Sequence, residues 1–324
     1  MRELEVVDPV PGPELFAALR AALDGGPPVS VSRGGAVPDD VCLVVPTSGS
    51  TGEPKHVELT PSCLLASGAA TASVIGEGRW WLQLPVTHIA GLQVVIRSGF
   101  APSVEADGCD FTSLVPTQLV RMLDDPRLPR LRAVLLGGAA AAPSLLAAAR
   151  DRGINVVTTY GMSETSGGCV YDGQPLPGVS VDVSDRIVLS GPVVARGYSG
   201  SAPFEGTFVT SDVGRLVDGR LEVLGRADDL INTGGEKVAP LAVEQALLEH
   251  PSVVEVAVVG QPDPEWGSKV VAFVVLASPL SLEAARDHVG ALVSRVAAPR
   301  ELRVVDALPL LPGGKVDRLR LATS

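Results

Sequence analysis

Aromatic residues, lysines and paired cysteines are all scarce in this chain, and each shortage excludes something. Aromatics make up 4% of the 324 residues against 46% hydrophobic overall, so a core must be built from Ala, Val and Leu. With a mean hydropathy of +0.30, disorder is excluded, because its signature is low hydrophobicity. Long apolar runs are missing too. The stretch Ala133–Ala149 is uncharged but broken by Gly, Pro and Ser, and it falls short of a membrane span. The acidic opening, Met1 to Asp8, lacks the basic-then-apolar layout of a signal peptide. Cys42, Cys63, Cys109 and Cys169 are widely spaced, with no Cys-x-x-Cys pair, which argues for reduced thiols in a cytoplasm and against a zinc cluster. A net charge of −11 disfavours nucleic acid and anionic membranes as partners. Any phosphate or carboxylate ligand must be met by local cations and backbone amides. On oligomeric state the sequence is silent, and a homodimer is compatible with it.

Of the 26 basic residues only four are lysine: Lys55, Lys237, Lys269 and Lys315. Arginine is therefore the general solvating cation, and each Lys is a place to look for chemistry, set against plain composition drift. The length fits two domains. Short Val/Leu/Ile runs at 41–45, 80–84, 111–115, 133–136, 155–159 and 186–189 alternate with helical patterns at 61–75, 91–97, 116–123 and 143–152. Several of these helices open with Pro in the first turn. This rhythm predicts an α/β fold with a largely parallel sheet. Residues 1–40 show one helical segment, 14–23, and little else. Beyond about residue 180 come short strands and turns, then a Gly-rich charged junction, Gly225 to Pro240. After it, helices over 241–249 and 282–296 with strands over 253–259, 270–275 and 302–305 predict a compact α+β unit. The expected division is 1–227 and 228–324.

The run from Pro46 to Lys55 (Pro-Thr-Ser-Gly-Ser-Thr-Gly-Glu-Pro-Lys) follows the first strong strand. Its hydroxyls, glycines and single cation suit a cluster of anionic oxygens, as in a backbone nest around phosphate. The spacing is wrong for a Walker A loop. Taken alone, such a run is as easily a flexible turn.

The longer string Thr47 to Lys55 resembles the phosphate-binding loop of the adenylate-forming superfamily, which contains acyl-CoA synthetases, luciferases and peptide-synthetase adenylation domains. Further signatures follow in order. Tyr160-Gly-Met-Ser-Glu-Thr165 is similar to the aromatic-Gly-x-Thr-Glu motif, and Ser211-Asp212 to Thr-Gly-Asp. Gly225-Arg-Ala-Asp-Asp-Leu-Ile is similar to the hinge motif, and Pro312-Gly-Gly-Lys-Val-Asp-Arg318 to the C-terminal lysine motif. The resemblance implies a large N-terminal α/β domain with a small mobile C-terminal α+β domain, using ATP, Mg²⁺ and coenzyme A. It implies that Thr47, Ser48, Gly49, Ser50, Thr51 and Gly52 hold the β/γ-phosphates, with Lys55 adding charge. Glu164 would bind Mg²⁺, a hard cation suited to carboxylate and phosphate oxygens. Tyr160, followed by Gly161, would stack on adenine, and Gly137, Gly138 and Ala139 would line the base pocket. Asp212 would take the ribose hydroxyls, assisted by Arg226. Lys315 would stabilise charge on carboxylate and α-phosphate in the adenylation transition state. Asp228 sits at the hinge position, and Gly234 and Gly235 where the pantetheine arm of CoA passes. Each residue also has a plain alternative: a solvated charge, a packed ring or a turn.

Two further strings, Leu84-Pro-Val-Thr-His-Ile-Ala-Gly-Leu92 and Ser113-Leu-Val-Pro-Thr-Gln-Leu119, resemble o-succinylbenzoate–CoA ligases of menaquinone synthesis, especially compact ones. That small-molecule acid carries two carboxylates, and His88, Arg97, Thr117, Gln118 and Thr165 become candidates for the acyl side. Another aryl- or fatty-acyl ligase, a carrier-loading enzyme and a catalytically silent adenylate binder stay open as alternatives. The chain departs from the superfamily pattern in three ways. Much of the N-terminal subdomain is missing, His56 stands where Gly commonly follows the loop Lys, and Ser211 replaces the Gly of Thr-Gly-Asp.

Overall fold

The computed structural model describes residues 1–47, 55–310 and 316–324. Its largest sheet has six strands in the spatial order Gln174–Pro175, Gly167–Tyr171, Val156–Met162, Ala133–Leu136, Phe111–Leu114, Trp80–Trp81. The last four run parallel, with Phe111 opposite Ala133 and Val134 opposite Val156. The first two are antiparallel additions. A second sheet is ordered Gly197–Tyr198, Lys55–Leu59, Leu43–Thr47, Val29–Ser30, Glu5–Val6. It is antiparallel on one side of Leu43–Thr47 and parallel on the other. The expectation of a largely parallel sheet is thus corrected to two mixed sheets. The antiparallel members were hard to read because Lys55–Leu59 begins with two polar residues and Gly167–Tyr171 with two glycines. The first 40 residues also hold more than one helix: short strands there extend the second sheet.

Helices Pro61–Ile75 and Ile89–Arg97 pack on the large sheet and on each other. The first is started by Thr60, whose hydroxyl accepts from the Cys63 amide at 3.3 Å, with Pro61 at the first helical position. The second is buried on nearly every face, which suits its mostly apolar sequence, interrupted before Arg97 only by a buried Gln93. Its entry requires Gly91, where an added Cβ would lie 2.2 Å from the Pro85 carbonyl oxygen. The main core joins Leu15, Leu43, Leu59, Leu64, Leu92 and Phe111. As the composition requires, it is mostly aliphatic.

Antiparallel strands Ser180–Val183, Ile187–Ser190 and Thr207–Val209 follow, then a hairpin of Asp212–Val217 and Arg220–Arg226. After the turn Ala227–Asp229 a separate core begins. Val243, Leu247, Val258, Val270, Val274, Ala285 and Val289 join helices Pro240–Leu248 and Leu282–Leu292 to a sheet centred on Gly267–Leu276. The helix expected over 282–296 stops at Leu292. Among the described residues no helix is long and apolar enough to cross a membrane.

Candidate active site

The parallel strands deliver most of the singled-out residues to one edge. The chain that leaves each strand's carboxyl end reaches one of them before or within the next element, and in open α/β sheets such ends form the ligand crevice. Trp80–Trp81 leads towards His88, which is exposed at the start of helix Ile89–Arg97. Phe111–Leu114 leads into Thr117 and Gln118 in the first turn of helix Pro116–Met122. Ala133–Leu136 leads into Gly137, Gly138 and Ala139, and Val156–Met162 carries Tyr160 and Gly161 and ends at Glu164.

Close packing explains the glycines. A Cβ on Gly137 would lie 2.3 Å from the Thr159 hydroxyl oxygen, and one on Gly161 2.2 Å from the Gly167 carbonyl oxygen. Gly138 has φ near +80° and faces Val115, so the loops after two neighbouring strands touch. Tyr160 donates its hydroxyl to Asp212 Oδ2 at 2.7 Å. Burial and that carboxylate hold the phenol well above its ordinary pKa, so it stays a donor. Asp212 is fixed from behind by its own amide, which donates to the Thr210 hydroxyl at 3.0 Å. Directly across the hairpin lies Arg226, whose guanidinium is 3.8 Å from the Asp228 carboxylate. Asp212, Arg226 and Asp228 thus form one acidic–basic strip at the junction of the two cores.

Glu164 lies in a single 3₁₀ turn, Ser163–Thr165, and is buried. Thr165 locks the turn: its hydroxyl accepts from the Met162 amide at 3.0 Å and donates to the Gly167 carbonyl at 2.9 Å. Glu164 Oε1 accepts the Tyr198 hydroxyl at 2.6 Å. Tyr198 comes from the second sheet, and the Lys55 ammonium sits 4.9 Å from its ring centroid. Sequence reasoning missed Tyr198. The signal was available, since Tyr, at three in the chain, is scarcer even than Lys. All three hydroxyls are engaged, the third being Tyr171 with Thr71 at 2.9 Å.

Thr47 closes its strand opposite Lys55 and donates its hydroxyl to the Lys55 carbonyl at 3.3 Å. Ser48, Gly49, Ser50, Thr51, Gly52 and Lys315 lie outside the described residues. Arg97 stands back from the strand edge. It donates to the Ser67 hydroxyl at 3.3 Å, and Ser67 donates to the Ser166 carbonyl at 3.1 Å, so one hydroxyl separates the guanidinium from the Glu164 turn. The guanidinium also lies 5.7 Å from the Trp80 ring and walls a cavity of about 440 Å³ with Trp80, Gly68 and Thr71. Its Nε is buried without a partner among the described residues. Gln118 is occupied at both ends: its Oε1 accepts the Val115 amide at 3.0 Å and its amide donates to the Gln83 carbonyl at 2.8 Å. That makes it a brace between two strand ends, with Thr117 exposed beside it. Gly234 and Gly235 form the tip of hairpin Ile231–Thr233/Glu236–Val238, both with positive φ, and Gly234 packs so tightly on Trp266 that a Cβ would lie 2.8 Å from the ring. Both are exposed, on the hairpin that opens the second core's sheet. Lys269, the one Lys outside the motifs, is a structural ion pair with Glu301 at 2.6 Å.

Residues 24–199 match the AMP-binding enzyme family, and residues 242–315 its C-terminal domain. The chain belongs to the AMP-binding enzyme family. A Mycobacterium tuberculosis protein named "Probable 2-succinylbenzoate–CoA ligase" is 43% identical, over 95% of this chain and 94% of that protein. The sulfoacetate–CoA ligase of Cupriavidus necator is 32% identical, over 98% of this chain and 73% of that enzyme. Among solved structures, o-succinylbenzoate CoA synthetase from Bacillus subtilis in complex with its acyl-adenylate intermediate superposes with a TM-score of 0.76 at 25% identity. That match covers 98% of this chain and 82% of the other. Within the family, Glu164 fits a magnesium ion held jointly by protein and nucleotide. The described residues offer no cluster of three acidic, His or Cys ligands, and Mg²⁺ commonly takes one or two carboxylates plus phosphate oxygens.

Proposed function

We infer that this AMP-binding enzyme is an acid–CoA ligase that converts o-succinylbenzoate to its CoA thioester in the cytoplasm, using ATP, Mg²⁺ and CoA. The carboxylate oxygen attacks the α-phosphorus of ATP and pyrophosphate leaves. The CoA sulfur then attacks the acyl carbonyl carbon and AMP leaves. Convergence carries this reading: Tyr160 with Asp212, and Glu164 with Tyr198 and Lys55, meet at one strand edge from three sheets. Asp212 Oδ1 is left for a ribose hydroxyl, Gly137–Ala139 and Tyr160 frame the base, and Thr47 to Gly52 with Lys55 receive the phosphates. Bound magnesium would neutralise phosphate charge beside Glu164. Residues 1–227 form the adenylating domain and 228–324 a cap that turns about Asp228. The cap brings first Lys315 and then Gly234–Gly235 to the site. The split between the two sets of core residues supports this division.

The acid follows from the relatives and from Arg97. Both relatives' named substrates carry a second anionic group besides the activated carboxylate, and burying such a group needs a compensating cation. Arg97, one hydroxyl from the Glu164 turn and next to a cavity, supplies it, with the exposed His88 and Thr117 as further candidates. Pyrophosphate release should be fastest with o-succinylbenzoate, and slow with sulfoacetate or benzoate. Fast release with sulfoacetate alone moves the reading to a small aliphatic sulfonate. Arg97→Leu should weaken use of the dicarboxylate by about ten- to several-hundred-fold, as for a lost charge-assisted hydrogen bond, with ATP affinity unchanged. Lys315→Ala should slow adenylation by about two to four powers of ten and spare thioester formation from pre-made acyl-AMP. Equal losses in both half-reactions would show that Lys315 has a structural role.

A further inference from the structure

We propose that Tyr198 is a positioning residue that couples the two charged flanks of the phosphate site, fixing one oxygen of Glu164 so that the other is left for a metal ion, while its ring seats Lys55. This rests on the ATP-dependent reading above. The hydroxyl donates to Glu164 Oε1 at 2.6 Å, a short charge-assisted bond. A neutral phenol set against a carboxylate oxygen can only donate, so the bond runs from the Tyr198 hydroxyl to Oε1. Oε1 is therefore engaged before any cation arrives, and Oε2 is left to act as a single-oxygen ligand. A carboxylate free to rotate would lose that aim.

The opposite face of the residue does separate work. The Lys55 ammonium lies 4.9 Å from the ring centroid, within cation–π range. The ring cannot swing away, since Phe204 meets it edge-on at 5.1 Å and Phe208 at 6.5 Å. Its backbone is tied to the same strand as Lys55, with Tyr198 opposite Val57 and Gly197 opposite Glu58. The metal carboxylate and the loop cation therefore share one rigid support, although they lie on different sheets.

Calorimetric ATP binding by the full chain, in Mg²⁺ and in EDTA, separates the two halves of the residue. Tyr198→Phe keeps the ring and loses the hydroxyl. The gain in ATP affinity on adding Mg²⁺ should fall about tenfold or more, the range for lost partners of metal ligands, with EDTA affinity within about twofold of wild type. Tyr198→Leu should lose the magnesium gain as well, and drop several-fold in EDTA because Lys55 has lost its ring. A wild-type magnesium gain in Tyr198→Phe overturns the proposal. So does an equal loss in both buffers, which would make the hydroxyl a general prop for the loop. A wild-type chain that binds no ATP in either buffer brings down the ligase reading itself, whereas ATP binding with no difference between wild type and Tyr198→Phe brings down this inference alone.

Discussion

Glu164 in the large domain and Glu244 in the cap are both buried carboxylates, 8% and 6% exposed, yet their surroundings differ in kind. Glu244 is neutralised. Arg318 meets it with both nitrogens, at 2.6 and 3.0 Å, and the Val258 amide adds a third bond at 2.7 Å. Glu164 receives a neutral phenol at 2.6 Å and, among the described residues, joins no ion pair. A buried carboxylate left without a cation is costly, and proteins keep such groups where function needs them. The cap's pair instead anchors the last residue of the Lys315 motif, because Arg318 also donates to the Val258 carbonyl at 2.8 Å. On the proposed reading one carboxylate awaits a cation, and the other has its cation built in.

Substitution at each should therefore move a different observable. Glu164→Gln retains the acceptor for Tyr198 and removes the charge. Adenylation should slow by about a hundredfold or more, while the melting temperature holds or rises. A fall in melting temperature as large as the fall in activity would erase the contrast with Glu244. Arg318→Leu should do the reverse. It strands a buried carboxylate and should cost about 2–3 kcal/mol, at the lower end for a broken buried pair because the arginine is itself a third exposed. Denaturant unfolding measures this. Adding Glu244→Leu to that variant should recover much of the loss, since the stranded charge is gone. No recovery would mean that Arg318 acts through its bond to Val258 alone.

How much of this was legible in the sequence follows the physics of each element. Parallel strands buried on both faces read as continuous apolar runs, so Ala133–Leu136 and helix Pro61–Ile75 stand where the pattern puts them. The strands Lys55–Leu59 and Gly167–Tyr171 carry site chemistry at their ends, and the polar and glycine residues this requires erased the strand pattern. The motif residues were legible as strings. Their pairings were not, because Tyr160 meets Asp212 across 52 positions and Glu164 meets Tyr198 across 34. Gln118 was legible as a position in a string, but not its bracing bonds, in which both ends of its amide meet backbone.

The smallest effect belongs to a third carboxylate, which has more cation than it needs. Glu301 lies 2.6 Å from both Lys269 and Arg303, and those two hydrogen bonds, Arg303's the stronger, pull its pKa down to about 2. The unfolded chain titrates near the ordinary 4.5. A folded pKa below the unfolded one contributes stability that is complete above about pH 4.5 and is lost as pH falls through about 2. A shift of that size amounts to about 3 kcal/mol in a dry site, but here all three side chains are roughly a third exposed and screened, which leaves about 1 kcal/mol. Glu301→Gln should therefore cost about 1 kcal/mol at pH 7, measured by urea unfolding, with the difference from wild type narrowing at pH 3.5 and in 1 M salt. A cost unchanged by pH and salt would mean that Glu301 contributes shape and not charge. Among the described residues the cap would then hold one electrostatic anchor, the Arg318–Glu244 pair, to set against Glu164, which has no ion pair there.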